Sequence, residues 1–335
     1  MSYFRTLKDP TLYHGHGKDG DFFEGWYFKL VNADGSRRYA IIPGVFKHGD
    51  PHAFIQVMDG LTGDATYHRY PVDAFSASET AFDVRIADNH FRADCLILDI
   101  DDEQRTVSGE VRFENRVPYP WTWTSPGIMG PFGYLPFLEC NHGVVSIDHT
   151  LTGTLTVDGQ TAQFYGGRGY AEKDWGSGFP SGYIWLQTNH FSSTPTGLMV
   201  SIAMIPRLGR PFRGFLSAFY HEGQLYRFAT YTGARIRNLH LSDTHVRWHL
   251  IGRTGGASYR LEIDAERASG GILKAPYDGQ MVERVAESLT AEVDVRLVRQ
   301  ERAREVVVFA DRGQYAGLEV VGDLSPLLDS NATSA

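Results

Sequence analysis

Apolar and polar residues alternate with a period of two along much of the chain. Leu289, Ala291, Val293, Val295 and Leu297 interleave with Thr290, Glu292, Asp294 and Arg296. Tyr259, Leu261 and Ile263 interleave with Arg260, Glu262 and Asp264, and Phe82, Val84 and Ile86 with Asp83 and Arg85. Each run predicts a strand with one face buried and one face outward. Asp34-Gly35 and Asp158-Gly159 carry hairpin chemistry. His221-Glu222-Gly223 and Thr254-Gly255-Gly256 read as slightly longer hairpin loops. No long amphipathic helix is predicted, only a short helical turn near residues 280–287. The class is therefore all-β, antiparallel and meandering, and closure into barrels would remove the exposed edges.

Between Val117 and Cys140 the alternation stops. Pro118, Pro120, Trp121, Trp123, Pro126, Pro131 and Pro136 crowd this stretch, and proline at that density excludes a central strand. The segment reads either as a lid or as an interdomain linker. Phe23-Glu24-Gly25-Trp26-Tyr27-Phe28 and Ser181-Gly182-Tyr183-Ile184-Trp185-Leu186 each set glycine ahead of a Trp-containing aromatic strand. This weak repeat suggests two tandem barrel-like domains, residues 1–177 and 178–328, with 329–335 a frayed polar tail.

Composition narrows the function. With 335 residues, 42% apolar and 21% charged, the chain can bury full cores. A net charge of −8 argues against a nucleic-acid binder. No apolar run is long enough to span a membrane, and the first residues lack the apolar region of a secretory signal, so a cytoplasmic location is expected. Two cysteines, Cys95 and Cys140, make neither a disulfide framework nor a zinc site. A nucleophile elbow, a phosphate-binding loop and a dinucleotide fingerprint are all missing, which removes the common hydrolase, kinase and dehydrogenase readings.

The densest chemistry lies in Tyr170-Ala171-Glu172-Lys173-Asp174-Trp175-Gly176. On a strand, Tyr170, Glu172 and Asp174 share one face. Two carboxyls so placed raise each other's proton affinity, and one could then serve as an acid. The alternative is an ion-paired turn in which Lys173 or an arginine neutralises them. Glu24 shares a strand face with Trp26, Phe28 and Leu30, so its pKa is expected to rise at the edge of an apolar surface; the alternative is a solvated rim. Tyr183, Trp185, Gln187, Asn189 and Phe191 form one face of a later strand, suited either to stacking and hydrogen-bonding a ligand or to packing on a neighbour. His14-Gly15-His16 has no matching ligand cluster, and no metal site is expected. His142 and His149 differ by an odd number, so at most one faces a common site.

These residues resemble the tocopherol cyclase family. Phe22-Phe23-Glu24-Gly25-Trp26-Tyr27-Phe28-Lys29 is similar to its N-terminal signature. Tyr170 to Pro180, followed by Trp185, Gln187, Asn189 and Phe191, is similar to its longer and more specific central one. Weaker likeness continues through Leu225-Tyr226-Arg227-Phe228, Leu273-Lys274-Ala275-Pro276 and Ala316-Gly317-Leu318-Glu319-Val320, covering nearly the whole chain in order. The sequence departs from the plant pattern at Asp174, where those enzymes carry Asn, at Tyr183, where they carry Trp, and around Asn141-His142-Gly143.

The resemblance implies two lipocalin-like barrels, an architecture shared with carotenoid 1,2-hydratases and some pericyclase-type cyclases. It implies closure of a chromanol ring on a prenylated hydroquinone or related isoprenoid, by alkene protonation and phenol capture. Such a site needs an acid, a dry cavity, aromatic faces for the cation and polar groups for the quinol. Glu172 is the first choice for the acid, then Asp174, then Glu24. Trp26, Tyr27, Tyr170, Trp175, Tyr183, Trp185 and His142 are assigned to the substrate surface, and Gln187 and Asn189 to the quinol hydroxyls. No metal, nucleotide or flavin is required. The expected partner is a hydrophobic small molecule, with the Pro/Trp-rich loop as a lid admitting it from a membrane surface. A hydratase or pericyclase of the same fold, or a non-catalytic carrier, are the alternatives.

Overall fold

The computed structural model describes residues 2–135, 138–205, 212–302 and 304–328. The polar tail 329–335 and Pro136 lie outside them. The chain is all-β and antiparallel, and its contacts divide it into two units. The first comprises Met1–Phe179 with Gly271–Arg284, the second Pro180–Gly270 with Val285–Ala335. A single boundary near residue 177 does not describe this division, because residues 271–284 group with the first unit.

The first unit holds β1 (Phe23–Val31), β2 (Arg38–Phe46), β3 (His52–Asp59), β4 (Ala65–Pro71), β5 (Phe75–Ala77) and β6 (Asp83–Ile86). It continues with β7 (Asn89–Arg92), β8 (Cys95–Asp101), β9 (Thr106–Val117), β10 (Cys140–Val157), β11 (Gln160–Gln163) and β12 (Gly167–Gly176). They pair in the order β4-β3-β2-β1-β12-β10-β9-β8-β7-β6-β5, with β11 on β10. The two ends of this path, β4 and β5, are consecutive in the chain and joined by the short turn Val72–Ala74. The sheet must therefore curl back on itself, which gives a lipocalin-like barrel. Trp26, Phe28, Leu30, Phe82, Phe91 and Phe113 fill its interior. The Phe28 ring stacks on those of Phe82, Phe91 and Phe113 at 6.2, 6.0 and 5.7 Å.

The remaining strands are β13 (Gly182–Thr188), β14 (Thr196–Ile205), β15 (Phe212–His221), β16 (Gln224–Ala229) and β17 (Arg235–Leu241). After them come β18 (His245–Thr254), β19 (Ala257–Glu266), β20 (Gly271–Tyr277), β21 (Gln280–Gln300) and β22 (Glu305–Gly322). The second sheet runs β16-β15-β14-β13-β22-β21-β19-β18-β17, and its end strands are again consecutive. Its interior holds Ile184, Leu186, Phe219, Trp248, Leu261 and Val295. The alternating run 289–297 is the middle of β21, with its five apolar members buried.

The four expected turns join β1 to β2, β10 to β11, β15 to β16 and β18 to β19. Asp158 and Gly159 have φ of 49° and 76°, the left-handed pair that a two-residue hairpin requires. Residues 280–287 are strand, not helix: they begin β21, which pairs with β20. The Pro/Trp-rich stretch joins β9 to β10 inside one unit, so it is not an interdomain linker. The Trp121 indole donates to the Leu7 carbonyl at 2.6 Å, tying the stretch to helix α1 (Ser2–Lys8). No described helix is long and apolar enough to cross a membrane.

The internal repeat is topological. β1 and β13 each open their sheet, lying between the next strand and the last strand of their own sheet. The two glycines are not equivalent, however. Trp26 and Phe28 point into the first barrel, so Gly25 lies on the outward face. Gly182 alternates with Tyr183 and so shares the inward face of Ile184 and Leu186. Aligning the glycines therefore swaps the two faces.

The β20–β21 hairpin lies against β3 and β4. Gln56, buried on β3, donates from Nε2 to the Lys274 carbonyl at 2.9 Å and accepts the Lys274 amide at 2.8 Å. One side chain thus replaces a pair of ladder bonds. Gln56→Leu should leave both Lys274 groups unpaired, lowering stability by about 1–3 kcal/mol. Limited proteolysis should then cut the Asp278-Gly279 turn faster than in the wild type.

Candidate active site

β12 lies between β1 and β10 and supplies Glu172, Lys173 and Asp174. Tyr27 and Val144 flank Glu172, Trp26 and Gly143 flank Lys173, and Gly25 and His142 flank Asp174. Because strand side chains alternate, Lys173 and Trp175 point into the barrel with Glu24 and Trp26. Tyr170, Glu172 and Asp174 point outward with Tyr27 and His142.

The inward cluster is closed by the N-terminal segment. Lys173 and Glu24 form an ion pair, and neither is exposed at all. Lys173 Nζ also donates to the Leu12 carbonyl at 2.7 Å and to His14 Nδ1 at 3.2 Å. Glu24 Oε2 accepts the His14 amide at 2.8 Å. The His14 ring stacks on Trp175 at 3.9 Å. Gly143 makes this fit: a Cβ there would meet the Trp175 ring at 3.1 Å and the Lys173 stem at 3.4 Å. Lys173 Nζ also lies over the Trp26 ring, 5.2 Å from its centroid.

Glu24 departs from expectation in both directions. It is fully buried, so it is no solvated rim residue. Burial pushes its pKa up, but Lys173 and His14 outweigh that and hold it below the ordinary carboxylate value. Burial and Lys173 push His14 down to about 4. At neutral pH this cluster is a carboxylate–ammonium pair beside a neutral imidazole, so Glu24 itself holds no proton to give a substrate. Glu24 therefore leaves the set of candidate acids.

The outward cluster is a chain of polar groups. The Tyr170 hydroxyl donates to Glu172 Oε2 at 2.5 Å. His142 Nε2 lies 3.3 Å from Glu172 Oε2, and Nδ1 donates to Asp174 Oδ1 at 2.8 Å. Burial alone would lower the His142 pKa, but the charges and hydrogen bonds of Glu172 and Asp174 outweigh it and push it up to about 10. His142 therefore carries a proton at neutral pH. Burial, with Glu172 beside it, drives the Tyr170 hydroxyl well above its usual pKa and keeps it protonated. The two carboxyls expected to interact directly are thus bridged by an imidazolium, and Lys173 serves the other face.

Ligand atoms of His142, Glu172 and Asp174 lie within 4.8 Å of one another, the one such group among the described residues. A cation held there would have to displace the His142 proton. His14 and His16 do not converge: His16 Nε2 contacts the Ser78 carbonyl at 3.3 Å. His149 lies on the inward face against Phe113, at 4.5 Å, and burial pushes its pKa down to about 3.

The structure therefore separates the sequence-predicted residues. Glu172, Asp174, His142, Tyr170 and Tyr27 share the outward face of the first unit. Glu24, Trp26 and Trp175 lie on the opposite face of the same strands, so these two tryptophans do not line a site with Glu172. Tyr183, Trp185 and Gln187 share the outward face of β13 in the second unit. There the Tyr183 hydroxyl donates to Glu319 Oε2 at 2.6 Å. Asn189 is buried just beyond the end of β13. Glu287, fully buried on β21 opposite Glu319, was missed, since a single glutamate in an alternating strand carries no signal of its own.

The pattern of the family described as Tocopherol cyclase-like matches residues 64–322. The chain is 28% identical over 175 residues to "Tocopherol cyclase, chloroplastic" of Zea mays, covering 49% of this chain and 35% of that protein. It is 27% identical over 172 residues to "Probable tocopherol cyclase, chloroplastic" of Oryza sativa subsp. japonica, covering 49% and 36%. The matched segment thus spans little more than a third of these relatives. The fold is similar to the crystal structure of CghA, with a TM-score of 0.55 and 11% identity over 90% of this chain and 88% of that one.

Two stability predictions follow from the two faces. Lys173→Met leaves Glu24 buried without its cation and should cost about 3–5 kcal/mol in denaturant unfolding, whereas adding Glu24→Gln should recover part of that loss. The His142 pKa is raised in the folded state. Its contribution is therefore fully present below the unfolded value of about 6.5 and is lost as pH rises. The loss runs up to about 10. Across that window wild type should lose more stability than His142→Asn.

Proposed function

The chain belongs to the tocopherol cyclase-like family, and on that premise we propose that it is an enzyme closing a chromanol-type ring on a prenylated hydroquinone or related isoprenoid. The observation that carries the reading is the imidazolium of His142 set between Glu172 and Asp174, with Tyr170 hydrogen-bonded to Glu172. Ring closure moves one hydrogen from a phenol oxygen to an alkene carbon. It needs a proton donor that can take a proton back.

In this reading the proton held on His142 passes to Glu172, and the Glu172 carboxyl gives it to the alkene. The π pair forms the new C–H bond, and a tertiary cation remains. The Tyr170 hydroxyl stabilises the Glu172 carboxylate left behind. The phenol oxygen bonds to the cation, and its proton returns through Glu172 to His142. Substrate and product are isomers and no water is consumed. Asp174 acts through His142, holding the imidazole in place and charged. Tyr27, opposite Glu172 in register, is the aromatic neighbour on the reacting face. Water would capture the cation, so the low exposure of Glu172, 5%, favours closure over hydration.

Incubating the protein with a reduced phytyl hydroquinone in deuterated buffer tests this. A chromanol isomeric with its substrate and carrying one carbon-bound deuterium is expected, formed faster than without protein. Glu172→Gln should lower kcat by about 10²–10⁴-fold with the fold intact. A product heavier by one water would instead identify a hydratase. Binding without turnover would identify a carrier.

A further inference from the structure

The inward face of β4 carries a constellation that the proposed proton chemistry does not use. Thr66 and His68 lie opposite Val57 and Ile55 of β3, both members of the first core, so they face the barrel interior. His68 is buried, and its Nδ1 lies 2.6 Å from Oδ2 of Asp102, in the turn between β8 and β9. Its Nε2 lies 2.8 Å from Thr66 Oγ1. Asp102 is itself oriented: its other oxygen, Oδ1, accepts the backbone amides of Gln104 at 2.9 Å and Arg105 at 3.2 Å. A carboxylate can only accept, so Nδ1 donates, and the neutral imidazole turns the lone pair of Nε2 to the Thr66 hydroxyl. The other acceptor near that hydroxyl, the Val57 carbonyl, is farther away at 3.4 Å. Thr66 is half-buried and Asp102 is exposed, so the three groups lie at the turn end of the barrel and not in its sealed core. On the same turn the Arg105 side chain is only 10% exposed, and its Nη1 has no hydrogen-bond partner.

We propose that Thr66, His68 and Asp102 act as nucleophile, base and orienting group, and that this end of the first barrel hydrolyses a small carboxylic ester. Such a triad is recognised by mutual geometry and not by chain order. These residues lie on no nucleophile elbow, so sequence motifs do not reveal them. Thr66 Oγ1 attacks the ester carbonyl carbon as its proton passes to His68 Nε2. The acyl–oxygen bond breaks, and the alcohol leaves with that proton. Water then attacks the acyl-Thr66 ester and gives one proton to His68, and the Thr66 oxygen takes it back as the carboxylic acid departs. One ester and one water give one acid and one alcohol. Asp102 is a positioning residue that holds the imidazole in the accepting tautomer. Arg105 is the buried donor on this turn left for an acceptor, which the carbonyl oxygen supplies as it becomes negative. Ile41, Ile55 and Val57 pack the interior beyond Thr66, so the acyl group is short and apolar. The inference is independent of the ring closure proposed above.

p-Nitrophenyl acetate tests it, with nitrophenolate release followed by absorbance and the acid-quenched protein mapped by mass spectrometry. Wild type should release nitrophenolate faster than buffer and carry acetyl on Thr66. Thr66→Val, which keeps the side-chain shape, should lower the rate by about 10²-fold or more and lose the label, whereas Thr66→Ser should keep both. Asp102→Asn should lower kcat by about 10²-fold or more with KM within about twofold of wild type. A merely structural chain of bonds would show the reverse, a lower melting temperature for Thr66→Val with the rate retained, and that result overturns the inference. Acetyl found only on lysines or the amino terminus, or a wild-type rate equal to that of buffer, overturns it as well.

Discussion

A β-strand cannot present neighbouring side chains on one face, and β12 carries Glu172, Lys173 and Asp174 in succession. This alternation organises the first unit. Lys173 is forced inward, where only Glu24 and the N-terminal segment can satisfy it. Glu172 and Asp174 are forced outward, beyond its reach. A cation for that face has to come from another strand, and β10 supplies His142 in register with Asp174. The two clusters are within one strand's thickness of each other, yet they use different partners and serve different ends.

The inward cluster is a structural device. An ammonium and a carboxylate with no exposure are tolerable only when their remaining hydrogen-bonding capacity is filled, because desolvation of each is costly. Leu12, His14 and the backbone around them fill it. The same bonds pin residues 11–14 across the barrel interior, where Tyr13 joins the apolar core. The outward cluster keeps its proton on the imidazole. An arginine or lysine between Glu172 and Asp174 would also neutralise them; the imidazole does so with Nδ1 bonded to Asp174 and Nε2 3.3 Å from Glu172.

Strand periodicity, hairpin turns and the all-β class were legible in the sequence because they depend on neighbours in the chain. The shared outward face of Tyr170, Glu172 and Asp174 was legible for the same reason. The partnerships were not. Glu24 meets Lys173 and His142 meets Asp174 through the pairing of β1 and β10 with β12, across more than a hundred residues in the first case. No local pattern encodes that register. Lys173 stayed open as the cation for Glu172 and Asp174 until residues 167–176 proved to be a strand, whose alternation turns it to the other face. The expectation of a raised Glu24 pKa failed because an apolar strand face says nothing about a lysine arriving from another strand.

The two units show what one topology permits. In each, the last strand of the sheet pairs with the first, and its outward face carries a glutamate that accepts a tyrosine hydroxyl: Glu172 from Tyr170, Glu319 from Tyr183. The tyrosines come from different strands, β12 in one case and β13 in the other. The shift in glycine position between β1 and β13 accounts for what else differs. On β1 the indole of Trp26 turns inward and stiffens the core beside Lys173. On β13 the indole of Trp185 turns outward over Gly317. A change of one residue in strand parity is thus sufficient to move an aromatic ring from the inward face of a barrel strand to its outward face.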